Sequence, residues 1–124
     1  MGDIKKIFVV EDNRFYAKQL SIYITNKFRG KFDVKTFVAS ETCMMSLHEN
    51  PEVIIMDHSL DTKYYDAQKG YNALIEIKKN YPSIKLILHS GTTDTLNIDP
   101  AICNEIPKGQ NSLNEIENYL NRLL

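Results

Sequence analysis

Val53-Ile54-Ile55-Met56-Asp57 is an apolar run closed by a carboxylate. A run this short, with no polar residue inside it, reads as a strand buried on both faces of a parallel sheet. The same reading applies on either side of it. Ile7-Phe8-Val9-Val10 stops at Glu11-Asp12, and Ile84-Lys85-Leu86-Ile87-Leu88 stops at His89-Ser90-Gly91. A weaker segment, Ile102 to Ile106, stops at Pro107-Lys108-Gly109. In open α/β sheets the ligand site lies just beyond the carboxyl ends of the strands. One sheet edge is therefore expected to gather Glu11, Asp12, Asp57, the Ser90 hydroxyl and the Lys108 ammonium. That set suits a divalent cation and a phosphoryl group.

Helical patterns fill the gaps. Asp12 or Asn13 can cap a helix running to about Phe28, with Tyr16, Leu20, Tyr23, Ile24 and Phe28 on one stripe. Arg29-Gly30-Lys31 ends it. Phe32 to Val38 alternates polar and apolar, as an edge strand does. Ser40 is expected to cap a short helix through Met44, Met45, Leu47 and His48, stopped by Asn50-Pro51. Another helix follows Gly70 and carries Tyr71, Leu74, Ile75 and Ile77 as far as Tyr81-Pro82. The last opens with Ser112-Leu113-Asn114-Glu115, the spacing of a capping box, and repeats Leu113, Ile116, Leu120 and Leu123 at helical intervals. This alternation predicts an α/β fold, a flavodoxin-like doubly wound parallel sheet of five strands in the order 2-1-3-4-5. Between strands four and five, Thr92-Thr93-Asp94-Thr95 is poor helix material and Pro100 interrupts the rest. The helix there is expected to be shortened or lost.

The 124 residues suffice for one domain, 1–124, with a real core. A formal net charge of −1 gives no attraction to nucleic acid or to an anionic membrane. No apolar run approaches the roughly 20 residues of a membrane span, and no signal-peptide stretch follows Lys5-Lys6. Cys43 and Cys103 lie far apart among apolar neighbours and read as reduced thiols of a cytoplasmic protein.

Taken in order, Glu11-Asp12, Asp57, Ser90-Gly91 and Lys108 resemble the receiver domain of two-component response regulators, single-domain type, across the whole chain. The resemblance implies that Asp57 is the phosphoacceptor. It implies a Mg²⁺ site, open also to Mn²⁺, made by Glu11, Asp12, Asp57 and the backbone carbonyl of Ser59. Ser90 would contact the phosphoryl group and Lys108 would pair with it. The donor would be a histidine kinase or phosphotransfer protein. This chain carries no DNA-binding domain; if it is the whole protein, output would run through contact with a downstream protein, or the chain would serve as a phosphate carrier or sink. Such a chain phosphorylates itself and slowly dephosphorylates itself, and is not an enzyme in the turnover sense. The rival reading is an interaction module on the same fold that no longer uses phosphate. A phosphatase with an Asp nucleophile ranks last, because it wants a second carboxylate where Ser59 stands.

Elementary electrostatics agrees with the resemblance. Clustered carboxylates repel, so one holds its proton unless a cation enters. Each residue also has an ordinary reading: Asp12 as a helix cap, Asp57 and Ser90 as loop residues, Lys108 as a solvated lysine. The ordered set is what argues for a site. His58 and His89 lack regular spacing and read as loop histidines, and Tyr64, Tyr65 and Tyr71 as loop packing. The chain departs from the receiver pattern in several places. Gly109 follows Lys108 where a cis-bonded proline is usual. Glu105 replaces a switch aromatic. The loop from His58 to Gly70 is long. Phosphorylation is therefore expected to reorganise Gly91 to Pro107 by ordering rather than by aromatic rotation.

Overall fold

The apolar runs form the centre of a sheet, and period-two alternation decides which side chain faces which layer. The computed structural model describes residues 4–58, 64–90 and 99–124. Strands β1 (Lys5–Val10), β2 (Phe32–Phe37), β3 (Val53–His58) and β4 (Lys85–Ser90) are linked in turn by helices α1 (Arg14–Lys27), α2 (Ser40–Met44) and α3 (Tyr64–Asn80); β5 (Asn104–Pro107) follows β4 with no helix between them among the described residues, and α4 (Ser112–Asn121) comes last. A short 3₁₀ turn, Leu47–Glu49, precedes β3. All neighbouring strands pair in parallel, in the order β2-β1-β3-β4-β5. This is the expected flavodoxin-like topology.

Phe8, Val10, Ile54, Met56, Leu86 and Leu88 face one layer, where they meet Cys43, Leu47, Leu74 and Ile77. Ile7, Val9, Val53, Ile55 and Ile87 face the other, against Leu20, Ile24, Ile116 and Leu120. Both layers are buried, which is why the central strands carry apolar residues at successive positions. Each fully buried Ile or Leu contributes about 1.5–3 kcal/mol by leaving water. The edge strand β2 departs from the predicted alternation: Phe32 and Phe37, of opposite parity, are buried in opposite layers, while Asp33, Lys35 and Thr36 are exposed, as an edge strand covered only at its ends allows. Cys43 and Cys103 are free and buried. Among the described residues no helix is long and apolar enough to cross a membrane.

Several local expectations are corrected. α3 begins at Tyr64, not after Gly70, so the connection from β3 is only residues 59–63, which lie outside the described residues. A glycine costs about 1 kcal/mol inside a helix, and good helix formers on both sides of Gly70 outweigh it. Tyr71 is accordingly a buried helix residue, and its hydroxyl accepts from Asp99 N at 2.9 Å. Ser40 is the first residue of α2 rather than its cap, a place taken by Ala39 with no side-chain bond. The capping box of α4 does not form. Asn111 stands at the cap with φ −101° and ψ 4°, outside the extended region a cap prefers, and Ser112 Oγ donates to Gly109 O instead. His58 and His89 lie in strands, not loops. The expected reorganisation of the segment after β4 falls largely on 91–98, outside the described residues, and the described 99–103 carries turns and no helix.

Candidate functional site

β1 delivers Glu11 and Asp12 to the carboxyl edge. Glu11 N still donates to Phe37 O at 2.8 Å, so the chain stays tied to the sheet for one residue past Val10. That tie keeps Glu11 turned inward, 3% exposed, while Asp12 is exposed. Asn13 then caps α1, its side chain accepting from Tyr16 N at 3.1 Å. Asp57 sits in β3 opposite His89 of β4, and its side chain is 4% exposed. The carboxylates of Glu11, Asp12 and Asp57 each offer an oxygen within 4.8 Å of the others.

Lys108, just beyond β5, reaches back over this group. Its ammonium donates to Glu11 Oε1 at 3.2 Å and forms an ion pair with Asp57. Asp57 Oδ1 is buried, and the Lys108 ammonium is the charge set against it. Burial pushes the Glu11 carboxyl up to about 8, helped by its hydrogen bond with Asp57 and by the charge of Asp57. The Asn13 N–H and Lys108 pull the other way and lose. Glu11 therefore holds its proton near neutral pH. Burial works against the Lys108 charge, but its contact with Asp57 and the charges of Asp57 and Glu11 hold its pKa above that of a free lysine.

Of the residues singled out from sequence, Glu11, Asp12, Asp57 and Lys108 meet at one edge. Ser90 ends β4 opposite Pro107, beside His58 opposite it on β3, and its hydroxyl lies outside what is described. Ser59 lies outside the described residues. Among the described residues no peptide bond is cis, and Glu105 is exposed on β5. The sequence reading put Tyr16 on the apolar stripe of α1 and His89 in a loop, and gave neither a role at the site. His89 is 1% exposed, with Nδ1 2.9 Å from Ile106 O and Nε2 2.7 Å from the Tyr16 hydroxyl. Burial lowers its pKa, so the ring is neutral. The signal was available: His89 shares the parity of Ile87, which puts it on the α1 face of a central strand.

No family model matches the sequence, and no curated relative matches it. Solved structures do. A BeF3-activated DrrB receiver domain is 24% identical, with TM-score 0.68 over 97% of this chain and 100% of its own. The Vibrio cholerae chemotaxis protein CheY4 is 13% identical, with TM-score 0.72 over 98% and 100%. The phosphorylated cyanobacterial phytochrome response regulator RcpA is 23% identical, with TM-score 0.65 over 98% and 91%. At these identities the likeness establishes the fold: over nearly its whole length this chain has the fold of response regulator receiver domains.

Proposed function

We propose that a chain with the receiver fold and this carboxyl-edge site is a phosphoacceptor signalling protein. Asp57 would take a phosphoryl group from a phosphohistidine on a histidine kinase or phosphotransfer protein, and the product would signal by protein contact. The observation that carries the reading is Asp57 itself: a buried carboxylate ion-paired with the Lys108 ammonium and gathered with two further carboxylates. An Asp57 oxygen attacks phosphorus and the P–N bond to the donor breaks; the donor ring, protonated on its other nitrogen, takes the bonding pair and leaves as neutral imidazole. Lys108 would neutralise charge on the transferring oxygens, and Ser90 would donate to the product.

The residues fit a divalent cation. Three carboxylates each offer an oxygen within 4.8 Å of the others, and Glu11 holds a proton that a cation would displace. Glu11, Asp12 and Asp57, with the Ser59 carbonyl, would hold Mg²⁺ or Mn²⁺. When bound, that ion supplies charge neutralisation for phosphoryl oxygens. Incubation with acetyl phosphate and Mg²⁺ followed by intact mass measurement tests the reading. The expected result is one phosphate adduct on the wild type and none on Asp57→Asn. A wild type that takes no phosphate would instead favour a phosphate-independent interaction module, the reading that exposed Glu105 on β5 supports.

A further inference from the structure

Pro107 stiffens the chain before Lys108 through its fixed φ, but neither neighbour ties the lysine to the sheet. Pro107 before it has no N–H to give the β4–β5 ladder, and Gly109 after it has the freest backbone of any residue. On the far side the loop is held by Ser112, whose N–H and hydroxyl both donate to Gly109 O, at 3.2 and 3.0 Å. On the near side it is held by His89, which lies opposite Ile106 in the sheet. A carbonyl only accepts, so His89 Nδ1 carries the hydrogen bonded to Ile106 O at 2.9 Å. Nε2 is then an acceptor, and the Tyr16 hydroxyl donates to it at 2.7 Å. The Tyr16 and His89 rings stack with centroids 5.8 Å apart. The Lys108 ammonium lies 5.0 Å from the Tyr16 ring centroid, within cation–π range. A polar ring in the layer of Ile87, Ile106 and Ile116 is not needed for packing, since an aliphatic side chain fills such space without a desolvation cost.

We propose that Tyr16 and His89 are positioning residues for Lys108. His89 fixes the backbone two residues before the lysine, and Tyr16 ties that anchor to α1 while offering its ring face to the ammonium. The task assigned to Lys108 rests on the phosphoacceptor reading above; the bracing of its ammonium does not.

Tyr16→Phe and His89→Leu, each made alone and in a Lys108→Ala background, give the test. The first readout is the ¹⁵Nζ NMR signal of Lys108 in protein without phosphodonor, assigned by its loss in Lys108→Ala. The second is the initial rate of adduct formation with acetyl phosphate and Mg²⁺. Thermal melts report folding. Both single variants are expected to melt cooperatively, to lose the held ammonium signal to exchange with water, and to phosphorylate roughly tenfold more slowly. In the Lys108→Ala background neither is expected to slow the reaction further. His89→Asn, which keeps a donor toward Ile106 O, is expected to recover part of the rate. An unchanged Lys108 signal in Tyr16→Phe and His89→Leu, or a loss of equal size without Lys108, overturns the proposal. If His89→Leu does not fold, the half-exposed Tyr16→Phe decides alone. If the wild type takes no phosphate, the phosphoacceptor reading fails and the ammonium signal still decides the bracing.

Discussion

Glu11 keeps a proton that an exposed glutamate would release, because burial penalises its charge and Asp57 both bonds and repels it. Its carboxyl in the folded protein titrates at about 8, against 4.5 for a free glutamate. Between these values the folded state binds more protons than the unfolded state, so stability falls as pH rises. The contribution is complete below about 4.5 and gone above about 8. In the absence of divalent cations, urea midpoints measured across that window are expected to decline with pH. Glu11→Gln keeps the shape, stays neutral, and is expected to flatten the decline. A decline of the same slope in the variant would place the responsible group elsewhere. The buried Glu11 and exposed Asp12 also show why adjacent acids in a sequence are not equivalent. One stays tied to β2 through Phe37 O while the other has already left the sheet.

α1 connects the site to the core, so its first turn matters beyond its own stability. Asn13 accepts from Tyr16 N, and Tyr16 in turn bonds His89. Further along, Ala17, Leu20 and Ile24 are buried, and the Tyr23 hydroxyl donates to Glu117 Oε1 of α4 at 2.6 Å. Asn13→Ala removes the cap and is expected to cost about 1 kcal/mol in chemical denaturation. Asn13→Gly loses the same bond but leaves the first-turn N–H groups open to water, and is expected to cost only a few tenths of a kcal/mol. Equal losses for the two would mean that the side chain does something other than capping. Legibility was uneven at this scale. The strands and α1 could be read because burial on two faces or on one stripe leaves a periodic record. The start of α3 could not, because Gly70 reads locally as a boundary. The cap of α4 could not either, because Ser112 satisfies a carbonyl that only the folded loop brings near.

Across the whole molecule, the carboxyl ends of β1, β3 and β5 bring together carboxylates and an ammonium far apart in sequence. A cation that binds this assembly and not the unfolded chain stabilises the fold by mass action. Mg²⁺ at a hundredfold over its dissociation constant is expected to add about 2.7 kcal/mol, seen as a rise in melting temperature. Asp12→Ala and Asp57→Asn are each expected to remove most of the rise, and an undiminished rise in either would move the cation to another site. The sequence by itself determined the sheet, its parallel order and the residues at its carboxyl edge, because apolar runs and the residues that end them are local properties of the chain. It also marked Glu11, Asp12, Asp57 and Lys108 as a set. Only the tertiary structure decided that Glu11 and Asp57 are buried against each other under Lys108, and that His89 and Tyr16 brace the lysine's loop. Those facts depend on register across β4 and β5 and on the placement of α1 over the sheet. No single segment of sequence encodes distances between segments.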